Sequence, residues 1–242
     1  MDARPAPDGP RAALPVRDLV KFFGVRCAVA GIDLDVPAGS LFGLVGPNGA
    51  GKTTALSLAT GLLRPDQGRV AVAGHDVWSD PSAAKALMGV LPDGLRTLDR
   101  LSGRELREFV ARMHRLDIAT ARGRSEELLV TLGLAGDADT MVRDHSAGMT
   151  KKIGLAAALV HNPRLLVLDE PFESVDPVSG ETIREILHRR TAGGGTVIMP
   201  SHVMGLVETL CDRVAVTAGG RLLAVGATAD VRAGMPLQQR FL

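Results

Sequence analysis

The sequence predicts an α/β fold built around a parallel β-sheet, and two observations predict it. Short apolar runs typical of buried strands, such as residues 165–168 and 196–199, follow helix-like segments, an alternation expected of parallel strands. A further apolar run, residues 41–45, leads through a glycine-rich turn into a helical pattern that begins at Lys52. Open α/β sheets bind their ligands beyond the carboxyl ends of their strands, so we expect a ligand site there.

Length and composition are those of an ordinary folded protein. The chain has 242 residues, of which 45% are hydrophobic and 23% are charged, so it is long enough to bury a substantial core. Its 28 basic and 27 acidic residues leave a net charge of +1, which is not the charge of a typical nucleic-acid-binding protein. We therefore expect no nucleic-acid partner.

Three features indicate a cytoplasmic protein. The longest apolar run, residues 153–160, has about a third to a half of the length that a membrane-spanning helix needs. The N-terminal residues combine several prolines with charged residues and have no apolar stretch, unlike a secretory signal peptide. Cys27 and Cys211 lack metal-ligand spacing, and such a pair suits packing roles in a reducing compartment.

We expect a flexible, proline-rich terminus at residues 1–13 and one domain at residues 14–242. Within this domain, residues from about 95 to 142 are predicted to form a helical subdomain, because apolar positions such as Leu106 and Val110 recur at helical spacing. The other predicted elements are strands at residues 14–20, 32–36 and 69–72, a helix at residues 52–63, and a hairpin with strands at residues 214–217 and 222–225.

Residues 46–53 match the phosphate-loop pattern G-x-x-x-x-G-K-S/T between a strand and a helix. In such a loop the backbone N–H groups point into one concavity, Lys52 reaches the β and γ phosphates, and the Thr53 hydroxyl binds Mg²⁺. The alternative is a glycine turn without a ligand, but the strand and helix on either side favour the nucleotide site. The predicted ATP-binding residues here are Gly46, Pro47, Asn48, Gly49, Ala50, Gly51, Lys52, Thr53 and Thr54.

Two carboxylates, Asp169 and Glu170, come directly after the apolar run at residues 165–168. Taken alone, such a pair is as often a capped strand end as a functional site. Beside a phosphate loop, Asp169 is predicted to hold the water shell of Mg²⁺, and Glu170 to orient and polarise the water that attacks the γ-phosphate.

His202 follows the apolar run at residues 196–199, at the same predicted edge of the sheet. Taken alone, a histidine at such a place is more often structural. As a hydrogen-bonding partner of the γ-phosphate and of Glu170 it would complete the catalytic pair, and we predict that role.

Together with one further motif, these sequences resemble the ATP-binding cassette (ABC) family. Residues 145–149, His-Ser-Ala-Gly-Met, stand where the family has its signature Leu-Ser-Gly-Gly-Gln, and they keep Ser146 and Gly148. The Gly-Met ending followed by Lys151 and Lys152 resembles subunits of bacterial exporters for drugs, antibiotics and polysaccharides.

The resemblance implies a P-loop NTPase fold of the ABC cassette type, with an antiparallel β subdomain and a helical subdomain. It places Phe23 where an aromatic ring stacks on adenine, and Asp93 where the family commonly has a glutamine that binds Mg²⁺ and water. A carboxylate can bind the metal but cannot donate a hydrogen bond to water. The implied metal ligands are Thr53, Asp93 and Asp169.

The resemblance also implies the cofactors ATP and Mg²⁺ and two kinds of partner. Two cassettes, in a homodimer or a heterodimer, would pack head to tail with each ATP between the phosphate loop of one and Ser146 and Gly148 of the other. ATP hydrolysis would drive a separate transmembrane permease, through which the chain lies on the inner face of the cell membrane.

Two other functions stay open at this point. A soluble cassette ATPase acting on DNA ends or ribosomes commonly has long coiled-coil inserts or two cassettes in one chain, and this sequence has neither. A regulatory cassette that hydrolyses ATP poorly is suggested by Asp93 and the altered signature, whereas Glu170 and His202 argue against it.

Overall fold

The structure, a computed structural model, describes residues 12–92 and 100–241, in which ten strands and nine α-helices are found. Two short 3-10 helices cover Ala135–Asp137 and Val142–Asp144. The strands are β1 (Ala12–Phe23), β2 (Arg26–Pro37), β3 (Leu41–Val45), β4 (Gln67–Val72), β5 (His75–Asp76), β6 (Met88–Leu91), β7 (Leu165–Leu168), β8 (Thr196–Ser201), β9 (Arg213–Ala218) and β10 (Arg221–Ala227). The helices are α1 (Lys52–Ala59), α2 (Pro81–Ala86), α3 (Gly103–Met113), α4 (Ile118–Thr131), α5 (Ala147–Leu159), α6 (Pro177–Ala192), α7 (Met204–Leu210), α8 (Thr228–Arg232) and α9 (Leu237–Phe241).

The larger sheet has six strands in the order β10-β9-β3-β8-β7-β6. The strands from β9 to β6 pair in parallel, and β10 is an antiparallel edge strand. Every residue of β3 and β7 is buried, as expected for parallel strands covered on both faces. The α/β fold predicted from the sequence is confirmed.

The two faces of the larger sheet belong to two cores. On one face, Leu41 and Val45 pack with residues of α5, α6 and α7. On the other face, Phe42 and Leu44 pack with α1 and with the smaller sheet. This alternation along β3 follows from the opposite directions of successive side chains in a strand.

The smaller sheet has four strands in the order β2-β1-β4-β5 and is antiparallel. Its first strand begins two residues earlier than the predicted domain, since Ala12 pairs with Pro37 and the Ala13 carbonyl accepts a hydrogen bond from Ala73 N–H at 3.0 Å. These backbone bonds extend β1 into the segment that we expected to be flexible. This sheet is the antiparallel subdomain that the ABC resemblance implies.

The helices α3 and α4 lie within the predicted helical subdomain, and α5 packs against both. A capping box begins α3: Ser102 Oγ accepts from Glu105 N–H, and the Glu105 carboxylate accepts from Ser102 N–H. The longest apolar run of the sequence lies in α5, where residues 153–158 are buried in the protein core. In the described part of the chain, no helix has the length and apolar character needed to span a bilayer.

Two of the differences from the sequence-based expectations concern the helix after the phosphate loop and the edge of the larger sheet. The helix predicted at residues 52–63 ends at Ala59, because Gly61 takes a left-handed φ of 71° and the N–H groups of Leu62 and Leu63 turn back to the Ser57 carbonyl. The strand β6 was not predicted, and it is the edge strand of the larger sheet, paired with β7.

Candidate nucleotide-binding and catalytic site

A cavity of about 800 Å³ lies at the carboxyl ends of the parallel strands. Because β3, β7 and β8 are neighbours that run in the same direction, the segments that follow them meet at one edge of the sheet. These segments carry the phosphate-loop residues 48–54, the carboxylates Asp169 and Glu170, and His202, and all of them line the cavity.

The phosphate loop needs glycine at two positions. Gly49 and Gly51 have φ values of 80° and 95°, in the left-handed region that other residues rarely adopt. A Cβ atom on Gly51 would also lie 2.3 Å from the carbonyl oxygen of Ala28 in β2, so the loop could not approach this strand with any other residue. The loop is therefore held against the smaller sheet.

Lys52 is the first residue of α1, and its side chain folds back over the phosphate loop. Its Nζ donates hydrogen bonds to the carbonyl oxygens of Gly46 at 2.7 Å and Pro47 at 3.1 Å. Burial lowers the pKa of Lys52, and the negative charges of Glu170 and Asp169 oppose that shift. A cation at this helix N-terminus gives the loop two sources of positive potential, the ammonium group and the helix dipole.

Glu170 is held by three hydrogen-bond donors at the end of β8. Its Oε1 lies 2.8 Å from His202 Nδ1 and accepts from His202 N–H at 3.1 Å, while Oε2 accepts from Ser201 Oγ at 3.3 Å. The Glu170 backbone has a φ of 45°, a conformation that is uncommon for residues other than glycine and is found at functional sites. The arrangement fixes one carboxylate at the edge of the cavity.

Ser201 is a residue that the sequence analysis missed. It is buried at the end of β8, where it donates to Glu170 and accepts from Val203 N–H at 3.1 Å. Its only sequence signal was its position directly before His202. The cavity also contains Arg26, Ala28 and Glu173, none of which was predicted.

Thr53 and Asp169 are the predicted metal ligands that the structure describes, and both line the cavity. A hydroxyl and a carboxylate suit Mg²⁺, which prefers oxygen ligands and usually takes one or two from the protein and the rest from water and phosphate. Among the described residues there is no cluster of three or more His, Cys, Asp or Glu side chains that could hold a metal ion. The third predicted ligand, Asp93, lies outside the described residues.

Phe23 lies at the end of β1 and lines the cavity with about half of its surface exposed. The ammonium nitrogen of Lys21 lies 6.0 Å from the centre of its ring. An exposed ring at the mouth of the cavity is available for stacking on a base, and that role stays a prediction.

Ser146 and Gly148 do not line this cavity in the described part of the chain. Ser146 is exposed and caps α5, since its Oγ accepts from Met149 N–H at 3.2 Å. A Cβ atom on Gly148 would lie 2.9 Å from the carbonyl oxygen of Ser174, so this turn passes close to the loop after Glu170. Their predicted contact with ATP would require a second cassette.

Sequence comparisons agree with this geometry. A protein-family model described as ABC transporter matches residues 29–173. A daunorubicin resistance ATP-binding protein of Streptomyces coeruleorubidus is 36% identical over 221 residues, which cover 91% of this chain and 70% of that protein. A linearmycin resistance ATP-binding protein of Bacillus subtilis (strain 168) is 35% identical over 218 residues, covering 90% of this chain and 70% of that protein.

Comparison with solved structures also finds ABC transporter cassettes. One described as the ATP-binding subunit of an ABC transporter has a TM-score of 0.89 and 25% identity, covering 94% of this chain and 97% of its own. A dimeric bacterial ABC transporter cassette has a TM-score of 0.82 at 20% identity, covering 89% of this chain and 98% of its own, a likeness of fold. The chain therefore belongs to the ABC transporter family, in which it is an ATP-binding subunit whose ATP hydrolysis is coupled to transport.

Proposed function

We propose that this chain is the motor subunit of an exporter. ATP brings two cassettes together, hydrolysis separates them, and this motion drives a separate transmembrane permease. The observation that carries the proposal is the cavity in which Lys52, Asp169 and Glu170 converge with His202. The direction of transport rests on relatives named for daunorubicin resistance, linearmycin resistance and Nod factor export.

In this proposal each residue of the cavity has one task. The phosphate loop and Lys52 bind the phosphates, and Phe23 stacks on adenine. Thr53 and Asp169, together with Asp93, hold Mg²⁺, which when bound neutralises charge that develops on the phosphates. The match of residues 46–53 to the phosphate-loop pattern supports these roles.

Glu170 is proposed to orient the attacking water and to accept its proton. His202 and Ser201 keep the carboxylate in place, and the exposed side of the His202 ring is available to the γ-phosphate. Ser146 and Gly148 of a second cassette would close the site from the opposite side. A single chain would then bind ATP and hydrolyse it only when dimerised.

The proposed location is the inner face of the cell membrane, where the chain is held by the permease. The proposed division of the chain is an ATPase domain that begins with β1 at Ala12, two residues before the boundary expected at residue 14, and continues to residue 242, with its helical subdomain at about residues 95–142. The second cassette is either another copy of this chain or a related subunit.

A transport experiment tests the proposal. The reading frames beside the gene are first searched for a polytopic membrane protein, which is then expressed with the chain in a drug-sensitive host. ATP-dependent uptake of daunorubicin and of linearmycin is measured in inverted membrane vesicles. We expect uptake that requires ATP and is lost in Glu170→Gln. Normal ATPase activity in the purified chain, with no binding to the permease and no uptake of any compound tested, would contradict the exporter function.

A further inference from the structure

Arg26 stands opposite Phe23, next to the turn of the hairpin formed by β1 and β2. The two residues form the last cross-strand pair of this hairpin. Paired residues of an antiparallel ladder project to the same face of the sheet, and both of these side chains line the nucleotide cavity. A cationic side chain therefore lies beside the ring that we expect to stack on adenine.

The first residues of β2 run along the phosphate loop. The Ala28 carbonyl oxygen lies 2.3 Å from the position of a Cβ atom on Gly51, and Arg26 Nη2 lies 3.5 Å from that of a Cβ atom on Gly49. Arg26 thus lies beside Gly49, and Ala28, two residues further along the strand, lies beside Gly51, two residues further along the loop. This register places the Arg26 guanidinium group next to the middle of the phosphate loop.

Arg26 has no carboxylate partner among residues 12–92 and 100–241, and its side chain makes no hydrogen bond there. Its neighbours on β1 differ, because Arg17 pairs with Asp35 and Lys21 pairs with Asp66. With respect to the described residues, the donors of Arg26 are therefore available to an anion at the phosphate loop.

We propose that Arg26 is a nucleotide-binding residue that contacts phosphate oxygens of ATP and ADP. This inference rests on the proposed nucleotide site and adds a second cation to it, near Gly49, whereas the Lys52 ammonium group lies at Gly46 and Pro47. The planar guanidinium group can give two parallel hydrogen bonds to a phosphate, which an ammonium group cannot. The hairpin would then hold both ends of the nucleotide, the base through Phe23 and the phosphates through Arg26.

The test measures nucleotide affinity by calorimetry at two salt concentrations. We expect Arg26→Gln to raise the dissociation constants of ATP and ADP by about fivefold to tenfold, between the effect of an exposed ion pair and that of a buried charged hydrogen bond. The salt dependence of binding should become weaker, since one charge contact is lost. Arg26→Lys should recover part of the affinity, and the KM for ATP should rise more than kcat falls.

Arg164→Gln is the matched control, because Arg164 is exposed directly before β7 of the larger sheet, at the end of that strand away from the cavity. The Arg164→Gln variant should bind ATP and ADP with wild-type affinity. In the absence of nucleotide, both variants should have the melting temperature of the wild type. Unchanged ATP affinity and salt dependence in Arg26→Gln would overturn the inference while leaving the nucleotide site in place. A loss of kcat without any change in KM or affinity would also overturn it. A wild-type chain that binds no ATP would contradict the proposed function itself.

Discussion

The imidazole Nδ1 of His202 lies 2.8 Å from Oε1 of Glu170, although the two residues follow different strands. The same carboxylate accepts from the His202 backbone and from Ser201. A group that must orient a water molecule needs a fixed position, and these contacts provide it. The contacts also differ in kind, so their contributions to hydrolysis can be measured separately.

His202→Ala should lower kcat more than it lowers ATP affinity. A hydrogen bond to a charged group contributes roughly 1.5–3 kcal/mol, which corresponds to about a ten- to hundred-and-fifty-fold loss in kcat if all of it orients Glu170. Ser201→Ala removes a neutral hydrogen-bond donor and should lower kcat by about two- to tenfold. Steady-state kinetics with Mg²⁺-ATP measure both variants. Wild-type turnover in His202→Ala would mean that this contact has no part in hydrolysis.

Ser146→Arg should abolish hydrolysis and leave nucleotide binding to the single cassette intact. Ser146 is exposed at the start of α5 and does not line the cavity of its own chain, so its effect must come through a second cassette. Because Ser146 also caps α5, the substitution should cost about 1 kcal/mol of stability. Calorimetry with ADP and an ATPase assay measure the two properties.

Ser146→Asp is the control for the lost cap, since aspartate caps helices as well as serine does. It should keep the stability of the wild type and still hydrolyse poorly, because its charge would face the γ-phosphate bound to the partner. Turnover that survives Ser146→Arg would exclude a head-to-tail dimer for this protein.

The sequence predicted the residues at the catalytic edge of the sheet better than it predicted the residues that surround them, such as Ser201 and Arg26. Strand direction alone brings Asp169 and His202 to one edge, and each is visible as a polar residue after an apolar run. The position of Arg26 beside the loop depends on how the two sheets pack, which involves residues distant in sequence. No local pattern carries that information.

The strand β6 was missed for a related reason. Its sequence is Met-Gly-Val-Leu, a run of only four residues that contains a glycine, which is a weak signal for a strand. In the structure a Cβ atom on Gly89 would lie 2.1 Å from the Ala158 carbonyl oxygen, so the glycine is needed where α5 crosses the strand. Close helix packing, rather than a turn, explains the residue.

The stability of the protein should fall in mild acid because of His161. Its ring stacks on His114 with ring centres 3.5 Å apart, and its Nε2 lies 2.8 Å from the Met88 carbonyl oxygen. Burial lowers the pKa of His161 to about 4, and the nearby charges of His114, Arg190 and Arg124 add to the shift. Since the unfolded chain takes up this proton near pH 6.5, stability is lost as pH falls from about 6.5 towards 4.

His161→Gln keeps a donor for the Met88 carbonyl and removes the titrating group. Urea titrations at pH 7.5 and pH 5 measure how much the free energy of unfolding decreases between these pH values. We expect this decrease to be about 1–2 kcal/mol smaller in the variant than in the wild type. His188→Gln, a change at an exposed histidine of α6, should behave like the wild type. Equal acid sensitivity in all three proteins would show that His161 is not responsible.

Glu170→Gln should separate ATP binding from hydrolysis. Glutamine can keep the hydrogen bond from the His202 backbone through its carbonyl oxygen, and its amide can donate to Ser201 Oγ, but it cannot accept a proton from water. Catalysis should drop by roughly 10²–10⁴ while ATP and Mg²⁺ still bind. Because the two bound nucleotides are expected to hold the cassettes together, slow hydrolysis should let an ATP-bound dimer accumulate.

Size-exclusion chromatography with light scattering, with and without Mg²⁺-ATP, would detect that dimer. The double variant with Ser146→Arg is the matched control, since it should bind ATP and stay monomeric. Hydrolysis at the wild-type rate would eliminate Glu170 as the catalytic carboxylate. An inactive Glu170→Gln chain that binds ATP and remains monomeric at high protein concentration would contradict dimerisation driven by ATP alone, because contacts with the permease would then be required to bring the cassettes together.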